Sequence, residues 1–179
     1  GVAYHKLRKF EKSYNFHKKH LEFSDVDNIY AANYNCGISL RFLKRYSESI
    51  EYFKTSLDWA RKREDYASEC LSCGQLGLAY FLNRESGQAL AFFQTCLKIS
   101  KSLKNFRLQL DCLLCIGYSI RTMLENPKYS SKTHEGATKQ PEQSWEIVVD
   151  AFEQAYNIAR ELDENELAEE ILCNLGISR

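Results

Sequence analysis

Proline is nearly absent from this chain. There are two in 179 residues, Pro127 and Pro141, and both fall in one short stretch. Glycine is sparse as well, at eight. A β-sandwich needs Gly- and Pro-rich turns every ten residues or so, and so few of either argue against that class. No apolar run reaches the roughly 18 residues of a membrane span, so no membrane partner is expected. The opening GVAYHKLRKF lacks an apolar core followed by a cleavage pattern, and no secretory leader is read in it. Net charge is absent too: 24 Lys and Arg balance 24 Asp and Glu, which argues against nucleic acid as a partner. None of G-x-x-x-x-G-K-[ST], G-x-S-x-G, H-E-x-x-H or G-x-G-x-x-G occurs, so neither an enzyme nor a cofactor is expected.

The neutral total hides an uneven distribution. Residues 1–63 carry 13 Lys and Arg against 7 Asp and Glu, and residues 142–179 carry 2 Arg against 10 Asp and Glu. A chain basic at one end and acidic at the other can steer partners, or join head to tail with its own kind. Seven cysteines, an odd and scattered set, fit a reducing cytoplasmic compartment better than a disulfide framework.

What the sequence has in place of turns is internal repetition. NYNCGISLRF, GQLGLAYFL, LLCIGYSIRT and LCNLGISR align on Gly37, Gly77, Gly117 and Gly176, and GVAYHKL adds Gly1. A large residue follows three positions later, at Tyr4, Leu40, Tyr80 and Ile120. Polar residues suited to starting a helix precede the glycines by twelve, at Asp25, Asp65, Asn105 and Glu164. A second pattern runs through YSESIEYFKTSL, SGQALAFFQTCL and WEIVVDAFEQAY. Ser49, Ala89 and Val148 are followed by Phe53, Phe93 and Phe152, then by Ser56, Cys96 and Ala155, and then by Leu57, Leu97 and Tyr156. These spacings put each set on one face of a helix. Ser13, His17, His20 and Leu21 form a weaker first copy.

The spacing therefore predicts helices over 7–22, 25–43, 46–63, 65–83, 86–103, 105–125, 144–162 and 164–178. They group into a partial unit 1–24, units 25–63, 65–103 and 105–162, and a partial unit 164–179. The glycine interval of 59 before Gly176 exceeds 40 by an insertion of 19 residues, read as an exposed loop over 126–144. Asn126-Pro127 should end the helix before it. A helical hairpin of this kind cannot bury its apolar stripe alone, so the fold class expected is all-α, a right-handed solenoid of antiparallel helix pairs.

LGLAY at 76–80, with Ala89 and Phe93, resembles the tetratricopeptide repeat, whose pattern is L-G-x-x-Y in a first helix and A-x-x-x-F in a second. The period here is near 40 residues, similar to the longer-helix scaffold members of that family. The chain reads as a stretch of a longer array. The resemblance implies a scaffold whose successive first helices line a concave groove for a partner segment. The slots it implies here are Tyr34, Ile38, Arg41 and Phe42, then Phe81 with Leu78 and Leu82, then Leu114, Tyr118 and Arg121 with Thr122. The expected partner is a protein or peptide segment, apolar with some acidic character, oriented by Arg41 and Arg121. The alternative is a structural subunit held permanently in a larger cytoskeletal or ciliary assembly through its ends and convex side.

Two constellations invite a metal reading. Cys70 and Cys73 form one C-x-x-C and Cys112 and Cys115 another. The second pair is displaced by two positions against its glycine, about 200° around a helix, so the pairs occupy nearly opposite faces. Cys36, Cys73 and Cys96 fill core slots, and no metal ligand set is expected. His17 and His20 are read as amphipathic helix surface.

Overall fold

The computed structural model describes residues 1–25, 28–126 and 141–176, with only the backbone described at 141–143. Its described residues form nine helices and no strand: α1 Val2–Lys6, α2 Phe10–Glu22, α3 Ile29–Phe42, α4 Tyr46–Lys62, α5 Tyr66–Leu82, α6 Ser86–Ser102, α7 Phe106–Glu125, α8 Pro141–Glu161 and α9 Asn165–Asn174. The all-α expectation holds. The chain divides into two compact units, Gly1–Asn83 and Arg84–Arg179. In the first, each helix from α1 to α5 packs on the next, and α3 also touches α5. In the second, α6 to α9 pack in the same sequential manner.

Two of the pairings, α3 with α4 and α7 with α8, rest on a glycine facing an aromatic ring. A Cβ added at Gly37 would lie 2.7 Å from the Phe53 ring, and one at Gly117 would lie 2.9 Å from that of Phe152. Absence of a side chain lets the first helix of the hairpin approach the second closely. Phe53 and Phe152 are completely buried, as are Ser49, Val148, Ser56 and Ala155 beside them. Ser49 Oγ donates to the carbonyl of Gly37 at 2.8 Å, so this small residue also closes the contact by a hydrogen bond.

The turns share one backbone solution. Arg8, Lys44, Glu64, Arg84, Lys104 and Asp163 all have positive φ, between 52° and 66°. After α3, the amide of Lys44 donates to the carbonyl of Arg41 and that of Arg45 to the carbonyl of Leu40, both at 3.0 Å. The same pair of bonds closes the turns at Glu64–Asp65, Lys104–Asn105 and Asp163–Glu164. This is the Schellman arrangement, which satisfies the last carbonyls of a helix. The residue after the left-handed one then starts the next helix. Asp65 Oδ1 accepts from the amide of Ser68 and Asn105 Oδ1 from that of Leu108, both at 3.1 Å, as their sequence positions predict. Glu164 also stands at the N-cap, but its carboxylate accepts from Arg107 of α7 instead of capping the helix.

Four expectations are corrected. The predicted helix 7–22 begins at Phe10, because the left-handed Arg8 turns the chain between α1 and α2. The helix predicted from 25 begins at Ile29. Asp25 Oδ1 instead accepts from the amide of Asn28, the N-cap residue of α3, at 3.0 Å. The predicted loop 126–144 is shorter at its far end, since Pro141 is the first residue of α8; its fixed φ suits that position. The rest of that loop, 127–140, lies outside the described residues. His17 is not surface: it is buried, with its ring against Gly1 where Phe53 meets Gly37. Burial first, then the neighbouring amino terminus and imidazoles, pull its pKa down to about 4. His20 is exposed as expected.

Candidate functional site

The expected groove residues fall in both units, Tyr34, Ile38, Arg41, Phe42 and Phe81 in the first and Leu114, Tyr118 and Arg121 in the second. In the first unit α3 brings three of them together. Arg41 lies over the ring of Phe42, its guanidinium carbon 4.7 Å from the ring centre. Phe42 stacks on Phe10 of α2 at 4.7 Å and meets the edge of His5 of α1 at 4.9 Å, yet stays 44% exposed. Ile38 lines a cavity of about 100 Å³ with Val2, His5, His17, Asn35 and Ser39. Tyr34 points elsewhere. Its ring stacks on Tyr30 at 5.6 Å and meets the Phe53 edge at 5.8 Å, so much of it packs its own hairpin. Phe81 is half-buried on α5.

Polar capacity is left over in this unit. Arg41 Nε, His5 Nδ1 and Gln75 Oε1 are buried with no hydrogen-bond partner among the described residues. Desolvation of Arg41 lowers its pKa, the mark of a cation held without a countercharge.

In the second unit the corresponding face is tied down. Arg121 donates to Asn174 Oδ1 of α9 at 3.1 Å and pairs with Glu125 at 3.1 Å. Asn174 Nδ2 in turn donates to the Tyr118 hydroxyl at 3.2 Å. Tyr118 also packs edge-on against Phe152 at 5.3 Å, and burial raises its pKa. Leu114 is half-buried. Asn174 lies two residues before Gly176, as Gln75 lies two before Gly77. Gln75 thus stands to Arg41 in the repeat as Asn174 stands to Arg121, but only the second pair is joined.

Val2, His5 and Asn35 were missed by sequence reasoning. The slot rule applied to Gly1 names Val2 and His5, one and four residues on. Asn35 had no such signal, because the slot two before the glycine is not among the groove slots that the resemblance implies.

Thiol chemistry finds no support in these surroundings. Cys36, Cys70, Cys73, Cys96 and Cys112 are buried. Burial pushes Cys36, Cys73 and the half-buried Cys115 up to about 12, far from the thiolate a metal or nucleophile needs. Among the described residues no three His, Cys, Asp or Glu gather as a metal site, and no helix is long and apolar enough to cross a membrane.

No curated protein matches the chain in sequence. The tetratricopeptide repeat family matches residues 28–102, from the N-cap of α3 to the last residue of α6. With the α3–α4 hairpin packed Gly37 against Phe53 in that stretch, residues 28–102 are a segment of tetratricopeptide repeats.

Proposed function

We propose that the chain is a protein-interaction scaffold, and that the exposed face of its first helices, centred on α3, holds an apolar partner segment with acidic character. The observation that carries this reading is unspent binding capacity in one place. Arg41 Nε lacks a partner, Phe42 beneath its guanidinium is half exposed, and Gln75 Oε1, at the slot of the next repeat that Asn174 fills for Arg121, lacks a partner too. A buried polar group without a partner costs about 1–3 kcal/mol, a cost that a partner's carboxylate or backbone amide would remove on binding. Aromatic and arginine side chains are also where interface energy concentrates. Arg121 is already satisfied within its own unit and contributes less. The reading of a permanently assembled cytoskeletal or ciliary subunit has no comparable observation behind it.

The test is selection of peptides from a displayed library on the immobilised chain, followed by affinity measurement on variants. Selected peptides should combine apolar and acidic residues. Arg41→Glu or Phe42→Ala should weaken them by about tenfold or more, and Arg121→Glu by clearly less. Peptides indifferent to Arg41→Glu and Phe42→Ala refute the assignment.

A further inference from the structure

Two outer helix faces remain apolar and charged, with opposite signs. On α2, Ser13, Tyr14 and His17 are buried, so the opposite side faces solvent. It carries Lys12, Phe16, Lys19 and Phe23, spaced four, three and four apart and therefore in one stripe, Phe23 being the C-cap residue. Phe16 is 49% exposed and Phe23 87%. The Phe16 ring stacks on Tyr4 at 5.2 Å and Lys12 Nζ lies over that same tyrosine, which fixes the inner edge of the stripe.

On α8, Val148, Ala151, Phe152, Ala155 and Ala159 are buried. The outer side carries Glu146, Asp150 and Glu153, four and three residues apart, flanked by Trp145 and Val149, which are 42% and 44% exposed. No ion pair engages Lys12, Lys19, Glu146, Asp150 or Glu153 among the described residues.

We propose that copies of this chain associate with one another, the basic, phenylalanine-bearing face of α2 in one copy lying on the acidic, tryptophan-bearing face of α8 in the next. Complementary charge names the occupant: each face offers the sign that the other lacks, beside an apolar flank that the other can cover. The excess of Lys and Arg in residues 1–63 and of Asp and Glu in 142–179 extends the same complementarity beyond the two helices. The contact joins two different surfaces, so it leaves one free α2 face and one free α8 face at each step and can continue. Its area is that of one helix on another, below the size of a stable permanent interface, so it is weak, reversible and sensitive to salt. This association uses α2 and α8 and is independent of the α3 face proposed above for a partner segment.

Sedimentation velocity on the full chain tests it. In low salt the weight-average sedimentation coefficient should rise with protein concentration. Raising salt to about 0.5 M should shift half-association to at least about tenfold higher concentration. Two charge-reversed forms, Lys12→Glu with Lys19→Glu and Asp150→Lys with Glu153→Lys, should each sediment as monomers while keeping the wild-type helical circular dichroism. Mixed in equal amounts they should associate again, because each reversed face then meets a complementary one. A wild-type chain that stays monomeric throughout overturns the proposal. So does association that survives in both variants, or a mixture that stays monomeric. Val149→Lys provides a second, single-site disruption with the same expected loss.

Discussion

Replacing Gly37 by alanine sets two physical effects against each other. Within a helix, alanine is favoured over glycine by about 1 kcal/mol. At this position, however, the new methyl would stand 2.7–2.9 Å from three atoms of the Phe53 ring. Carbon atoms in ordinary contact are about 3.5–4.0 Å apart, so the ring or the helix must shift by nearly an ångström. Phe53 is fully buried, and its ring is met edge-on by Tyr34 at 5.8 Å, which leaves little room to yield. Overpacking of this kind costs about 1–3 kcal/mol and occasionally more. The packing term should exceed the propensity term, leaving Gly37→Ala less stable by about 1–2 kcal/mol. Urea unfolding followed by far-ultraviolet circular dichroism measures this. The decisive comparison is the same substitution in a Phe53→Leu background. The smaller side chain costs stability by itself but frees the space, so alanine at 37 should there be neutral or favourable. A coupling of at least about 1 kcal/mol between the two sites is expected. Stabilisation by Gly37→Ala in the wild-type chain, with no coupling to position 53, would refute the claim that this glycine exists for helix approach.

Three further outcomes follow from the turns, the caps and the buried imidazole. Lys44→Gly and Lys104→Gly should each stabilise by about 0.5–1 kcal/mol in thermal or urea unfolding, because φ is 61° and 52° there and a side chain is strained in that region. Asp65→Ala and Asn105→Ala should each cost about 1 kcal/mol through loss of the bonds to the Ser68 and Leu108 amides, whereas Glu164→Ala, which loses only an exposed ion pair with Arg107, should cost less. His17, held near 4 in the fold against an ordinary value of 6.5, stays neutral while the unfolded chain takes up a proton. Its contribution is therefore complete above about pH 6.5 and is lost as pH falls from there toward 4, by up to about 3 kcal/mol. His17→Phe should keep the fold and flatten that part of the stability–pH curve, and titration of the His17 ring protons by NMR should place its midpoint well below 6.

The hairpins were legible because one constraint, close approach of two helices, needs the same two residues each time. Gly37 with Phe53 and Gly117 with Phe152 announce it at a distance in the chain. Asp65 and Asn105 were legible because few side chains can cap a helix. The left-handed residues were not, since Lys, Glu, Arg and Asp carry no mark of positive φ; the neighbouring helices impose it. His17 was misread by polarity, although its alignment with Phe53 already placed it inside. Pro141 was read as a loop residue because proline marks both loops and helix starts. At the candidate site, the slots of Ile38, Arg41 and Phe42 followed from the repeat. That Arg121 is bound by Asn174 while Arg41 is not depends on side chains over 50 residues away in the chain, which no local pattern records.

The central functional claim is that the α3 face is the working surface, and site-specific photo-crosslinking tests it most directly. A photoreactive phenylalanine analogue is placed at Phe42 on that face or at the exposed Thr55 on α4, and each form is irradiated with a selected peptide bound. Crosslinking from position 42 and none from position 55 is the predicted result. Crosslinking from position 55 with none from position 42 would contradict it.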